Sequence, residues 1–160
     1  GGRDGRVEAD GAWHYLGSPM GRLPLVKLFA SVLRKDPGRY VLVTPVEMVG
    51  ITVDDVPFIA VEMQCDGAGQ NQTLTFRTNV DDVAVASAAN PLRFERDSTG
   101  GLKPEILVRG DLWAKLSRPL LYDLVERGEE AEHAGEPWFG IWSSGSFFPI
   151  APMSAIDTIG

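Results

Sequence analysis

Cysteine, histidine and long apolar runs are scarce in this sequence, and each scarcity excludes a class of protein. The single cysteine, Cys65, cannot close an internal disulfide, and no basic-then-apolar signal segment opens the chain, so a cytoplasmic location is expected. No apolar run approaches the roughly 20 residues that a bilayer crossing needs. One cysteine and two scattered histidines do not supply a zinc site. We therefore expect no metal, no cofactor and no membrane partner.

Excess positive charge is also lacking, which argues against nucleic-acid binding. The formal net charge is −7, whereas proteins that bind nucleic acids present a basic surface. The acidic excess belongs to residues 119–160, which hold one basic residue and seven acidic ones. Residues 1–118 hold fourteen basic and fifteen acidic residues, so this nearly neutral part leaves room for a local basic pocket.

What is present is the composition of an ordinary globular protein, with 160 residues of which 44% are hydrophobic. The order of predicted helices and strands indicates an α+β fold rather than an alternating α/β fold. We expect two small roll-like subdomains, each a mostly antiparallel sheet packed by one or two helices. The N-terminal subdomain is assigned to residues 1–80 and the C-terminal one to residues 81–160, with the boundary within 79–90.

The N-terminal half begins with a predicted hairpin around Asp10-Gly11, followed by an amphipathic helix. Its apolar residues recur at helical spacing from Leu25 to Leu33, with Leu28 among them, and Arg34 and Lys35 suit the helix C-terminus. Alternating and continuous apolar runs then predict strands at 40–44, 51–53, 58–65 and 73–77.

The C-terminal half contains a second predicted hairpin, with strands 92–97 and 102–109 around residues 98–101. We expect a short helix at 111–116 and another that begins at Pro119, with Ser117 as its N-cap. Residues 128–137 are interpreted as an acidic, exposed connection. The chain closes with an aromatic hairpin, residues 138–142 and 147–150, that needs a partner surface to bury its rings.

Linked motifs across nearly the whole chain resemble a known bacterial family, domain of unknown function 1285. The resemblance rests on Trp13-x-Tyr15-x-Gly17-Ser18-Pro19, Arg22, Leu28-Phe29, Arg39-Tyr40-x-Leu42-x-Thr44-Pro45-x-Glu47, Val53-x-x-x-Pro57-Phe58 and Arg77-Thr78-Asn79. Fainter matches continue through Pro91-Leu92-Arg93-Phe94, Arg109, Arg118 and residues 142–148. The resemblance implies a cytoplasmic protein of two roll-like α+β subdomains, and it brings no activity, cofactor or catalytic residue.

The predicted start of the first helix is a candidate anion site. Unpaired backbone N–H groups at a helix N-terminus attract anions, and Ser18 and Arg22 frame this turn, with Arg77 available from a neighbouring strand. The simpler interpretation, which we favour, is that Ser18 caps the helix with Pro19 at its first position.

Two strand ends supply further candidate ligand-binding residues. Thr44 and Glu47 follow a buried-looking strand, although a solvated Glu47 is the simpler interpretation. Arg77 and Asn79 close another strand, just before Asp81-Asp82. That acidic pair lacks a third metal ligand at a recognisable spacing, so we interpret it as a turn.

No assembled catalytic constellation is evident, so we lean against an enzyme. The leading hypothesis is a non-catalytic binding or regulatory module for a small anionic ligand at Ser18, Arg22, Thr44, Glu47, Arg77 and Asn79. A small hydrolase or transferase using Ser18 or Glu47 is an alternative. A third hypothesis is a structural or interaction protein that acts, for instance as a homo-oligomer, through its aromatic C-terminal hairpin.

Overall fold

A computed structural model of the chain describes residues 5–15, 18–19, 23–43 and 48–157. Strands make up 55% of the described residues and helices are few, so the fold is mostly β rather than the predicted α+β. The described strands form two six-stranded mixed sheets and one three-stranded sheet, and the two larger sheets fit two roll-like units packed with helices.

The first sheet is built from the N-terminal third of the chain. In chain order its elements are β1 (Gly5–Val7), β2 (Trp13–Tyr15), β3 (Ser18–Pro19), α1 (Leu23–Ser31), β4 (Leu33–Asp36), β5 (Arg39–Val43) and β6 (Met48–Val53). The strand order is β3-β2-β1-β6-β5-β4, and β1 lies parallel to β6. Helix α1 buries Val26 and Ala30, and these join Leu33 and Leu42 in the core.

The second sheet contains most of the remaining strands. Its elements are β7 (Phe58–Asp66), a 3₁₀ turn (Gly69–Asn71), β8 (Thr73–Thr78), β9 (Val83–Val85), β10 (Leu92–Arg96), β11 (Leu102–Arg109), β12 (Leu112–Leu116) and α2 (Arg118–Glu126). The strand order is β10-β11-β12-β7-β8-β9, with β12 parallel to β7. Helix α2 begins after Ser117 as predicted and buries Leu120 and Leu124.

The third sheet is antiparallel and carries the aromatic hairpin. It contains β13 (Glu129–His133), β14 (Glu136–Ser143) and β15 (Ser146–Pro152), followed by the short α3 (Met153–Asp157). The buried Ser143 hydroxyl accepts a hydrogen bond from Leu74 N and donates one to Ala86 O, which fixes the hairpin to the second sheet. Ile141 and Phe148 complete one continuous core shared with both larger sheets.

The chain changes from the first sheet to the second between Val53 and Phe58. Strands β7 and β8 therefore belong to the same sheet as β9 to β12, although β7 and β8 precede the boundary expected within 79–90. Whether residues 1–80 and 81–160 fold as separate units stays a prediction.

The first helix is shorter than its apolar pattern suggested. Helix α1 ends at Ser31, and Leu33 to Asp36 form β4, which pairs with β5. Leu33 is buried as a strand residue, whereas Leu28, expected on the buried face, is 62% exposed. The stop signal at Pro37-Gly38 is the two-residue turn of this hairpin, with Gly38 at φ +82°. At the end of this apolar pattern, pairing with β5 therefore determines the structure, and the helical spacing of the apolar residues does not.

Two segments of the C-terminal half were also predicted wrongly. Residues 112–116, expected in a helix, form β12, where Leu112, Ala114 and Leu116 are buried and the residues between them are half-buried. That period of two is the pattern of a strand. Residues 128–137, expected as an exposed connection, include β13, whose five residues all pair with β14.

Candidate functional site

A groove of about 630 Å³ lies where the first hairpin meets the end of the second sheet. The turn after β1 contributes Ala9 and Asp10, and the start of β11, the end of β12 and the start of α2 contribute most of the rest. Gly11, at φ +89°, lets this turn approach β7, since a Cβ there would lie 2.8 Å from Ile59 Cδ1. The first sheet thus closes one side of a cavity formed mainly by the second.

Two lysines and one aspartate form the most buried charges that line the groove. Lys103 on β11 and Lys115 on β12 both bind Asp55, which lies in the connection between the two sheets. Lys103 Nζ donates to Asp55 Oδ1, and Lys115 Nζ lies 3.4 Å from Asp55 Oδ2. The side chains of all three residues are between 24% and 28% exposed, so the carboxylate is partly shielded from water.

The shared contacts keep Asp55 and Lys103 ionised. Burial acts to raise the pKa of Asp55, but the hydrogen bond and charge of Lys103, together with Lys115, outweigh it and lower that pKa. Burial acts to lower the pKa of Lys103, and the carboxylates of Asp55 and Glu105 outweigh it and raise that pKa. Asp55 therefore neutralises much of the lysine pair's charge.

A buried carboxylate, Glu105, lies next to Lys103. Glu105 on β11 is 1% exposed, accepts a 2.6 Å hydrogen bond from Arg93 Nε and lies 3.4 Å from Lys103 Nζ. The Arg93 guanidinium in turn lies 3.8 Å from the centre of the Trp113 ring. We call Asp55, Arg93, Lys103, Glu105 and Lys115 the groove cluster. Its inner charges are paired, which is the condition for holding a charge away from water.

Two arginines, Arg96 and Arg118, also line the groove. Among the described residues, neither Arg96 nor Arg118 forms an ion pair, although Arg118 hydrogen-bonds Tyr122 and senses the charge of Asp97. Asp97 Oδ1 accepts hydrogen bonds from the backbone N–H and hydroxyl of Thr99 and from the backbone N–H of Gly101. Since both lysines of the lining are paired with Asp55, these arginines are the lining cations with no ion pair among the described residues.

The residues predicted to form a site at the start of the first helix are not all within the described structure. Arg22, Thr44 and Glu47 lie outside the described residues. Ser18 is part of β3, which pairs with β2, and α1 begins only at Leu23. Ser18 and Pro19 therefore do not begin the helix, and the expected capping role is wrong. The grouping of these residues around a ligand stays a prediction.

Arg77 and Asn79 are described, and both are engaged in contacts within the protein. Arg77 makes two hydrogen bonds to Glu62, of 3.0 and 2.7 Å, and another to Asp81, which also binds Lys27 on α1. We call Lys27, Glu62, Arg77 and Asp81 the Arg77 cluster. Asn79 exchanges hydrogen bonds with the backbone of β7: its side-chain oxygen accepts from Ile59 N, and its own N–H donates to Ile59 O.

Sequence reasoning missed the groove because its residues are scattered along the chain. Asp55, Arg96, Lys103 and Lys115 come from different elements and form no local motif. Lys115 was missed because residues 111–116 were predicted as a helix. The alternation Leu-Trp-Ala-Lys-Leu in this segment indicates a strand. Arg118 was noticed only as part of the family resemblance.

Three further features of the described residues concern metal ligands and helix length, the single thiol and the aromatic hairpin. No group of three or more His, Cys, Asp or Glu residues there could hold a metal ion, and no described helix is long and apolar enough to cross a bilayer. The Cys65 thiol is half-buried and directed at Gly67 O and Gln72 Oε1. In the aromatic hairpin, Trp142 and Phe147 pack with their ring centres 5.2 Å apart.

The fold and the groove define a mostly β protein with two mixed sheets and a charged cleft at their junction. The chain belongs to the DUF1285 family: residues 1–56 match the model of its N-terminal domain of unknown function, and residues 57–150 match that of its C-terminal domain. The two models meet at the connection that carries Asp55. The family resemblance recognised in the sequence is thereby confirmed.

Two solved structures of family members are similar to this chain. A DUF1285 family protein from Silicibacter pomeroyi DSS-3 is 45% identical, with a TM-score of 0.89 over 96% of this chain and 82% of that one. A second, from Shewanella baltica OS155, is 26% identical, with a TM-score of 0.60 over 78% of this chain and 91% of that one. No curated protein matches the sequence at a significant level.

Proposed function

We propose that this protein is a non-catalytic binding module for a small anionic ligand, and that the ligand occupies the groove at the junction of the two larger sheets. The observation that carries the proposal is the pair of arginines, Arg96 and Arg118, that line this cavity without a carboxylate partner among the described residues. A concave site with convergent polar groups is the usual setting for a small ligand.

The surroundings of the arginines support the same proposal. The lysine pair on β11 and β12 adds positive potential, while Asp55 holds it in place. The side-chain hydroxyl of Ser117, at the start of α2, makes no capping hydrogen bond and lies in the lining. An oxyanion there would meet charged donors on several elements, which favours tight and oriented binding.

Calorimetric titration with phenyl phosphate tests the proposal. The wild type should bind, and an Arg96→Gln/Arg118→Gln double variant should bind at least about tenfold more weakly, because charge-assisted hydrogen bonds are lost. Arg77→Gln is the matched control, since Arg77 is an equally charged residue outside the groove. Its affinity should stay within twofold of the wild type.

The proposal fails if the wild type binds none of phenyl phosphate, phosphate, pyrophosphate and octanesulfonate. It also fails if Arg77→Gln lowers the affinity as much as the double variant does. Circular dichroism and the unfolding midpoint of each variant establish that the comparison is made between folded proteins.

A further inference from the structure

The two faces of the second sheet present different chemistry to the groove. Paired strand residues point to the same face, so Lys103 and Lys115 lie on the face that meets Asp55. Leu102, Pro104 and Leu116 lie on the opposite face, and all three line the groove together with Leu121 of α2. The cavity therefore extends around the sheet's end, with one polar side and one apolar side.

Both arginines that form no ion pair among the described residues belong to the apolar side. Arg96 is directly opposite Leu102 in the β10–β11 ladder, so their side chains are neighbours on one face. Arg118 and Leu121 are three residues apart on α2, which also places them side by side, and both line the groove. Each available cation is thus next to an apolar side chain.

The net charge of the groove limits how much negative charge a ligand can bring. Its lining includes the cations Arg96, Lys103, Lys115 and Arg118 and the carboxylates Asp10, Asp55 and Asp97. One positive charge is in excess, and Asp55 already occupies both lysines. A single anionic group is matched by this balance, whereas a polyanion would have to displace Asp55.

We infer that the ligand is a monoanionic amphiphile, meaning one carboxylate, sulfonate or phosphodiester group joined to an acyl or aryl body. Its anionic group binds Arg96 and Arg118, and its apolar body lies against Leu102, Leu116 and Leu121. This inference rests on the proposed function, because it assigns a ligand class to the same groove.

A series of linear sulfonates separates this inference from simple anion binding. Calorimetry with methane-, butane- and octanesulfonate should show affinity rising roughly two- to fourfold per added methylene, as apolar surface leaves water. Pyrophosphate should bind more weakly than octanesulfonate, and neutral 1-octanol should bind at least about tenfold more weakly because the charged hydrogen bonds are missing.

Variants on α2 give a second, independent readout. Leu121→Asn should flatten the dependence of affinity on chain length, because Leu121 lines the groove. Val125→Asn is the matched control: Val125 is 40% exposed on the same helix and does not line the groove. It should leave the chain-length dependence unchanged. If Leu121→Asn does not fold, the sulfonate series with the wild type tests the inference by itself.

The two proposals fail in different ways. If pyrophosphate binds as tightly as octanesulfonate and chain length has no effect, the amphiphile class is wrong while an anion site remains. If Arg96→Gln/Arg118→Gln binds octanesulfonate like the wild type, the ligand is not in this groove. That result, or a wild type that binds no anion in the series, overturns both proposals.

Discussion

Two charged clusters in this protein have similar composition and different settings. The Arg77 cluster joins two cations and two carboxylates on an outer face, where Glu62 is 66% and Asp81 43% exposed. The groove cluster joins three cations and two carboxylates, and its Glu105 is 1% exposed. The charges of the Arg77 cluster pair with one another, whereas the groove cluster borders a cavity that two further arginines line.

The comparison shows that a pattern of charged residues does not by itself define a site. Arg77 was a sequence candidate because it closes a predicted strand near other polar residues, and in the structure it binds Glu62 and Asp81. Concavity and unpaired charge distinguish the groove, and both depend on contacts between distant parts of the chain.

The largest expected difference between the clusters is in stability. Glu105→Ala removes the partner of Arg93 in a buried position and should lower the free energy of unfolding by about 2–3 kcal/mol. This is less than the loss of a fully buried pair, because Arg93 and Lys103 remain partly hydrated. Urea denaturation measures the change.

Glu62→Ala is the matched control for that variant. Glu62 is a carboxylate on β7 of the same sheet and also binds an arginine, but it is exposed. Its removal should change stability little, because exposed ion pairs are weak. Equal losses in the two variants would remove the distinction between the clusters.

The next largest effect concerns the charge that Asp55 neutralises. Asp55→Asn leaves Lys103 and Lys115 without a carboxylate on the connection between the sheets, so pyrophosphate should bind roughly tenfold more tightly, about 1.4 kcal/mol. Asp81→Asn, in the Arg77 cluster, should leave that affinity unchanged. Calorimetry that finds the same gain in both variants would contradict the assignment.

The smallest effect is the pH dependence of the Asp55 contacts. Because its pKa is lowered in the folded state, these contacts stabilise the protein above the unfolded pKa, and the stabilisation is lost as pH falls through the folded pKa. The free energy of unfolding of the wild type should exceed that of Asp55→Asn by up to about 1 kcal/mol near neutral pH. This difference in the free energy of unfolding should become smaller below about pH 4. A gap that widens on acidification would be inconsistent with this sign.

Local sequence patterns predicted much of the fold. The Asp10-Gly11 hairpin, the strands around residues 98–101, the α2 start at Ser117 and the aromatic hairpin all follow from turn residues and periodicity, and all are present. The parallel pairs β1–β6 and β7–β12 were missed, because their partners are more than 40 residues apart. Such pairing depends on global packing rather than local propensity.

The candidate site was harder to predict for the same reason. The groove requires the first hairpin to pack against Ile59 and requires β12, which was expected to be a helix, to lie beside β7. The β11–β12 ladder then places Lys115 on the same face as Lys103, where both reach Asp55. The hypothesis of a small anionic ligand could be formed from local charge balance, but the groove's location depends on the tertiary structure.

An amide chemical-shift map of the wild type titrated with octanesulfonate tests the central claim most directly. The account predicts progressive shifts at Leu102, Ser117 and Leu121, which line the groove, and no shifts at Glu62, Thr75 and Arg77. Shifts that concentrate around Arg77 and leave the groove unchanged would contradict it.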